Sequence, residues 1–251
     1  MIASLPMYDR PEIAPETDRF WTLIRASLMR QGERAPEALT RDSRPLWQHW
    51  QDPALVLSQT CGLPYRTRLH GEVSLIATPN FGLPGCPPGY YNSVLVMRRE
   101  NATERPEDWA ELTLALNDFG SQSGWAAPQN FMSDLGLGFT RTVTTGAHAG
   151  SAMAVLEGTA DIAALDAQTW RLLKRFKPEM SGLAEVGFTE PTPGLPYISR
   201  ANVAVEIYHR ALVEALDQLT EAERAALGLV SIERIPSSAY LEIPTPDLPP
   251  L

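Results

Sequence analysis

The chain has 251 residues, 44% of them hydrophobic and 20% charged. That is too apolar for a disordered chain and long enough to bury one large domain or two smaller ones. With 30 acidic against 21 basic residues the formal net charge is −9, so the surface repels phosphate backbones and anionic lipid and argues against nucleic-acid or membrane-surface partners. A small anion remains compatible with this charge, because helix ends alone make a cleft locally positive.

Met1 to Tyr8 reads directly into a strand and turn, with neither a basic n-region nor an apolar h-region. That start predicts either a cytoplasmic protein or a chain written without its leader. No apolar run reaches bilayer length, so no membrane insertion is expected. Alternation of short apolar runs with helical patterns predicts strands at Ile2–Leu5, Ala54–Ser58, Val73–Thr78, Ser93–Arg98, Leu112–Leu116, Thr140–Thr145, Asp161–Leu165 and Ala184–Phe188. Between them, Thr17 or Asp18 is positioned to cap a helix that buries Phe20, Leu23, Ile24 and Leu28 and stops at Gly32. Ser151 to Glu157 reads as a helix, and residues 201–219 repeat Val205, Tyr208, Leu212, Leu216 and Leu219 at helical spacing. Thr220 and Glu223 then form a capping-box pattern for a short helix that Gly228 ends.

Such alternation predicts an α/β fold with mainly parallel sheets and helices on both faces. Two proline-rich stretches, Pro79–Gly89 and Glu190–Pro196, bracket the middle of the chain. Read as crossovers, they make residues 92–190 one lobe and residues 1–91 with 191–251 the other. The tail Ile243–Leu251 is too proline-rich for helix or central strand and reads as an extended strap or frayed end. Cys61 and Cys86 are too few for a disulfide framework, and the sequence leaves open whether they pair.

Open α/β sheets bind ligands at the carboxyl ends of their strands, where helices begin. Asn117-Asp118-Phe119-Gly120-Ser121-Gln122-Ser123-Gly124 follows an expected strand and opens a helix. The hydroxyls of Ser121 and Ser123, close approach at Gly124 and the unpaired amides of a helix start suit an oxyanion. They suit an ordinary serine N-cap equally well. Thr144-Thr145-Gly146-Ala147-His148-Ala149-Gly150-Ser151 is a second strand-to-helix corner, and the strand after it ends at Asp166. A lone histidine is more often structural than functional, yet His148 stands at such a corner. From the other lobe, Tyr8 follows the first strand, and Gln59 to Tyr65 follows the second. Half-buried packing is the alternative for both tyrosines.

In this order and spacing, Asn117–Gly124 and Gly146–Trp170 (G-x-H-x-x-S-x-x-A-V-x-x-G-x-A-D-x-A-x-x-D-x-x-T-W) resemble the phosphate/phosphite/phosphonate substrate-binding family of ABC importers. The resemblance runs from Ser4 to about Arg200. It implies a two-lobed type II periplasmic-binding fold whose lobes close on a small anionic ligand. It also implies that the ligand's phosphonate or phosphate group rests on two helix N-termini, Ser121-Gln122-Ser123 and His148 with Ser151. Asp166 then accepts a bond from a ligand amine or a protonated oxygen, and Tyr8 and Tyr65 come from the other lobe. Gln122 departs from the family, whose members often carry a small hydroxyl residue there.

The leading expectation is therefore a monomeric solute-binding protein, without metal or cofactor, recognised in its closed form by an ABC permease. The alternative is an enzyme on the same fold, like those of menaquinone biosynthesis, with Cys61 as nucleophile and His148 as base. Against it, the chain lacks G-x-S-x-G, H-E-x-x-H, P-loop and C-x-x-C motifs, and its four histidines have no metal spacing. The sensor domain of a transcription regulator, a third possibility, lacks an attached DNA-binding motif.

Overall fold

The computed structural model describes residues 1–248. Its strands are β1 (Ile2–Ala3), β2 (Leu55–Gln59), β3 (Val73–Asn80), β4 (Tyr90–Tyr91), β5 (Ser93–Arg98) and β6 (Thr113–Leu116). They continue with β7 (Arg141–Thr144), β8 (Ile162–Asp166), β9 (Leu183–Phe188), β10 (Thr192–Pro193), β11 (Tyr197–Arg200) and β12 (Ser231–Glu233). The α-helices are α1 (Ala14–Arg30), α2 (Leu46–Trp50), α3 (Gly62–Pro64), α4 (Ala127–Asp134) and α5 (His148–Glu157). After them come α6 (Ala167–Phe176), α7 (Val205–Gln218), α8 (Glu221–Leu227) and α9 (Ser237–Leu241).

The backbone divides into two compact units. Unit 1 is Met1–Tyr90 with Pro193–Leu241, and unit 2 is Tyr91–Thr192 with the tail from Glu242. The sequence placed all of 191–251 in the first lobe. The tail instead lies with unit 2, where Asn130 Nδ2 donates to the Pro244 carbonyl at 3.0 Å. Residues 244–248 take neither helix nor strand, as Pro244 and Pro246 dictate. The last three residues of the expected strap lie outside the described ones.

In unit 1 the sheet order is β1-β2-β11-β3-β12. Ile2, Leu55 and Ile198 meet Trp50, Tyr65, Leu69 and Tyr240 in its core. Helix α1 packs against α7 and begins a turn earlier than Thr17 suggested. A 3₁₀ turn at Pro11–Ile13 leads into it, and the Thr17 hydroxyl donates back to the Ile13 carbonyl at 3.0 Å instead of capping. The expected capping box of Thr220 and Glu223 is present, with Gly228 in the left-handed region at φ 69°.

In unit 2 the order is β7-β6-β8-β5-β9. Its core gathers Leu95, Leu114, Leu116, Trp109, Trp125, Met132 and Ile162. All eight expected strands are present, but the sheets are mixed, not mainly parallel. Strands β1 and β2 run parallel, as do β6 and β7, and β6 and β8. By contrast β11 is antiparallel to β2 and β3, and β5 to β8 and β9. Both inserted strands closely follow a passage of the chain from one unit to the other. β11 enters its sheet at the end where β2 and β3 leave it and so runs the opposite way, whereas β5 is the first strand of its sheet, against which the later β8 and β9 run. In unit 2 this sets the amino end of β5 beside the carboxyl end of β8, with Ser93 opposite Asp166.

Candidate functional site

One edge of the unit 2 sheet collects the chemistry. The parallel register Leu116↔Thr144 aligns the ends of β6 and β7, so the chain turns into a helix at neighbouring points. Beyond the strands the pairing continues: Thr145 N–H donates to the Leu116 carbonyl at 2.8 Å and Gly146 N–H to the Asn117 carbonyl at 3.0 Å. The two corners are thus laced together by backbone.

At the first corner Ser121 is the N-cap of a π-helical turn, Gln122–Ala126, that runs into α4. Its hydroxyl accepts the Gly124 N–H at 3.0 Å and its carbonyl the Ala126 N–H at 3.1 Å. The cap is real, and Ser121, Gln122 and Ser123 are all buried. Gly124 has a steric reason. A Cβ there would lie 2.0 Å from Asn117 Oδ1 and 3.3 Å from Ser121 Oγ. Asn117 Oδ1 itself is buried without a hydrogen-bond partner.

At the second corner α5 begins at His148, and its N-cap, Ala147, provides no side-chain cap. Of the three helices that begin at this edge, the other two are capped, by Ser121 and by Asp166. Among the described residues no side chain caps the first-turn amides of α5, which as a helix start also lack intrahelical acceptors. Ser151 is 0% exposed, and its hydroxyl meets Thr145 Oγ1 at 2.7 Å. It is placed to hold the corner's shape.

The corners are also joined through side chains. Ser123 Oγ lies 2.9 Å from His148 Nε2, and the Ser123 carbonyl accepts from Ser93 Oγ at 2.9 Å. His148 keeps some exposure, but its Nδ1 is shut off from solvent. Burial pulls its pKa down to about 4, and the Ala164 backbone, which favours the charged form, offsets this only in part. At neutral pH the ring is uncharged and meets Ser123 as a neutral hydrogen-bond partner.

A stability consequence follows. Between about pH 6.5 and pH 4 the unfolded chain binds a proton at this histidine that the folded chain refuses. The contribution of neutral His148 is complete above the unfolded value and declines as pH falls toward the folded one. The loss approaches ~3 kcal/mol, at about 1.4 kcal/mol per pH unit. Urea unfolding at several pH values should show His148→Gln flattening that decline relative to wild type; parallel curves for the two proteins would refute it.

Asp166 is buried at the end of β8, and its Oδ1 accepts the Thr169 N–H at 2.7 Å, capping α6. Tyr8, Gln59 and Tyr65 belong to unit 1. Tyr65 sits in the core, edge-on to Tyr240 at 5.1 Å, which is the packing alternative. Gln59 Nε2 donates to the Leu195 carbonyl at 3.0 Å. With Tyr8, Leu5, Phe20, Phe81 and Tyr197 it lines a cavity of about 40 Å³. Cys61 lies in unit 1 and His148 in unit 2. Cys61 precedes the turn Gly62–Pro64, and no disulfide joins it to Cys86. Among the described residues no cluster of His, Cys, Asp and Glu has the makings of a metal site, and no helix is long and apolar enough to cross a membrane.

Ser93, Asn117 and Thr145 were absent from the sequence-level candidates. Asn117 and Thr145 stood inside the quoted motifs, next to residues with louder signals. Ser93 has no local signal, because only the antiparallel entry of β5 brings it to this edge.

Residues 57–238 match the family described as ABC transporter, phosphonate, periplasmic substrate-binding protein. The chain belongs to that family. The solute-binding expectation and the two-lobed periplasmic-binding fold stand with it. Solved structures agree in architecture. PhnD1 from Prochlorococcus marinus, in complex with methylphosphonate, superposes with a TM-score of 0.70 at 15% identity, covering 95% of this chain and 93% of that one. XAC2383 from Xanthomonas citri, bound to chloride ion, gives 0.69 at 14% identity, covering 96% and 97%. A binding-protein component of an ABC phosphonate transporter from Pseudomonas aeruginosa gives 0.65 at 17% identity, covering 92% and 80%. A search of curated proteins by sequence returned no match. At these identities the likeness to solved structures is one of fold. The family is one of substrate-binding proteins, not enzymes.

Proposed function

We propose that this phosphonate-family binding protein holds a small phospho-oxyanion, a phosphonate or its phosphate or phosphite relative, on the laced corners of unit 2. The observation that carries the reading is the Ser123–His148 bond of 2.9 Å, which fixes two helix starts against each other beside the uncapped amides of α5. An oxyanion supplies the acceptors those amides lack. The two lobes close on the ligand, and the closed monomer is what an ABC permease recognises. The chain acts without catalysis: a histidine held neutral down to about pH 4 is a weak general base at neutral pH.

Calorimetry with methylphosphonate, phosphite and phosphate tests this. Saturable one-to-one binding of at least one is expected, and no binding by any overturns the reading. Asp166 sharpens it. A carboxylate beside a dianion repels unless a proton or ammonium lies between. Asp166→Asn should therefore weaken an aminoalkylphosphonate roughly tenfold more than methylphosphonate, a difference of about 1.4 kcal/mol. Equal losses for both would remove the residue from the ligand site.

A further inference from the structure

The end of the unit 2 sheet opposite those corners carries a feature that oxyanion capture does not use. A cavity of about 580 Å³ lies between the last turn of α6, the 3₁₀ segment Pro178–Gly182 and the start of β9. That size falls within the ~300–1,000 Å³ typical of small-molecule sites. The register Arg98↔Leu183 places it at the far end of β5 from Ser93 and Asp166.

Its charge is unusual for this molecule. The sequence contains only two lysines, Lys174 and Lys177, and both line this one cavity together with Arg99. Cations in the last turn of a helix favour its negative end, which accounts for Lys174 and Arg175. Lys174 is also neutralised by Glu185 at 2.6 Å. Arg99 has neither explanation, and Lys177, the C-cap residue of α6, has the helix end but no carboxylate. Lys177, half-buried, forms no ion pair among the described residues. Among the described residues the Arg99 guanidinium donates only to carbonyls, Ser181 at 3.1 Å and Leu183 at 3.0 Å. Two uncompensated positive charges thus face one concavity in a chain of net charge −9. Pro178, Met180 and Leu183 give the wall an apolar part.

We propose that this cavity is a second binding site, for a small organic dianion with an apolar body. Lys177 and Arg99 take its charge, and Met180 with Leu183 take its hydrocarbon. The pairing of Lys174 with Glu185 fixes the third cation as part of the wall.

The scarcity of lysine provides the test. Reductive dimethylation with carbon-13 formaldehyde keeps the ammonium charges and labels only Lys174, Lys177 and the N-terminal amine. Phenyl phosphate is the probe, at about pH 8, where a phosphate monoester carries both charges. The two lysine resonances are expected to shift and saturate while that of Met1 stays still. Lys177→Gln and Arg99→Gln should each raise the dissociation constant about tenfold or more. A parallel titration with phenylsuccinate, a dianion that keeps the aromatic body, separates the chemistries: saturation there means that a dicarboxylate also serves, and its absence that a phosphoryl group is required. No saturable shift with phenyl phosphate overturns the proposal, as does a shift that sodium chloride reproduces at equal ionic strength.

Discussion

Ser123→Asp is expected to abolish oxyanion binding. The Ser123 side chain is buried, with Oγ 2.9 Å from His148 Nε2, so the new carboxylate would sit where the ligand's charge must go. Two like charges 4 Å apart repel by about 4 kcal/mol at an effective dielectric of 20, which is about a thousandfold in affinity. Ser123→Ala is the milder control. It removes one hydrogen bond to a charged group, worth roughly 1.5–3 kcal/mol, or about one to two powers of ten. Urea unfolding of Ser123→Asp checks that a loss of binding is not a loss of fold. Calorimetry with methylphosphonate on both variants decides it. Wild-type affinity in Ser123→Asp would mean that the anion, if bound at all, is bound elsewhere.

Gly124→Val should damage unit 2 itself. A Cβ at this position would stand 2.0 Å from Asn117 Oδ1, so the Asn117 side chain must swing away. The branched Cγ atoms then crowd Ser121 Oγ, already 3.3 Å from the Cβ site. Overpacking of this kind costs about 1–3 kcal/mol. The damage spreads, because the Asn117 carbonyl receives the Gly146 N–H and a shift there moves the second corner. Unfolding in urea should show the loss, and binding should fail beyond what the stability change explains. Gly124→Ala separates the causes, since an added methyl improves helix propensity by about 1 kcal/mol while meeting the same oxygen. Combined with Asn117→Ala, it should be more stable than Gly124→Ala alone. If the single valine variant is as stable as wild type, the close approach of Gly124 to Asn117 does not hold.

What the sequence showed and what it hid divide along physical lines. Strands such as Ser93–Arg98 and the capping box at Thr220 were legible because their signals are local: apolar runs of strand length, and a hydroxyl three residues before a glutamate. The two corners were legible for the same reason, since strand, small residues and helix follow one another along the chain. Strand direction was not. Whether β5 or β11 runs with or against its neighbours depends on where the chain enters each sheet and which strands come to flank it, which no window of residues records. Ser93 was lost with it. Tyr65 was ambiguous because an aromatic residue shortly after a strand reads alike whether it faces a ligand or packs into a core, and its packing against Tyr240 depends on a residue far along the chain. The eventual placement of the tail from Glu242 rests on contacts such as Asn130 to Pro244, far apart in sequence and with no pattern to announce them.

The two corners are built without a single lysine or arginine, from Asn117 to Gly124 and from Thr144 to Ser151, and their one histidine is neutral at pH 7. Whatever attraction they exert comes from oriented amides and hydroxyls, whose pull fades within a few ångströms. At longer range an approaching anion meets a body of net charge −9. Diffusional encounter is therefore opposed, not steered, and added salt shortens the reach of that opposition to about 8–10 Å at physiological strength. Association should accelerate as sodium chloride rises, while dissociation, governed by short-range bonds, barely changes. That is the reverse of the salt dependence of sites lined with cations.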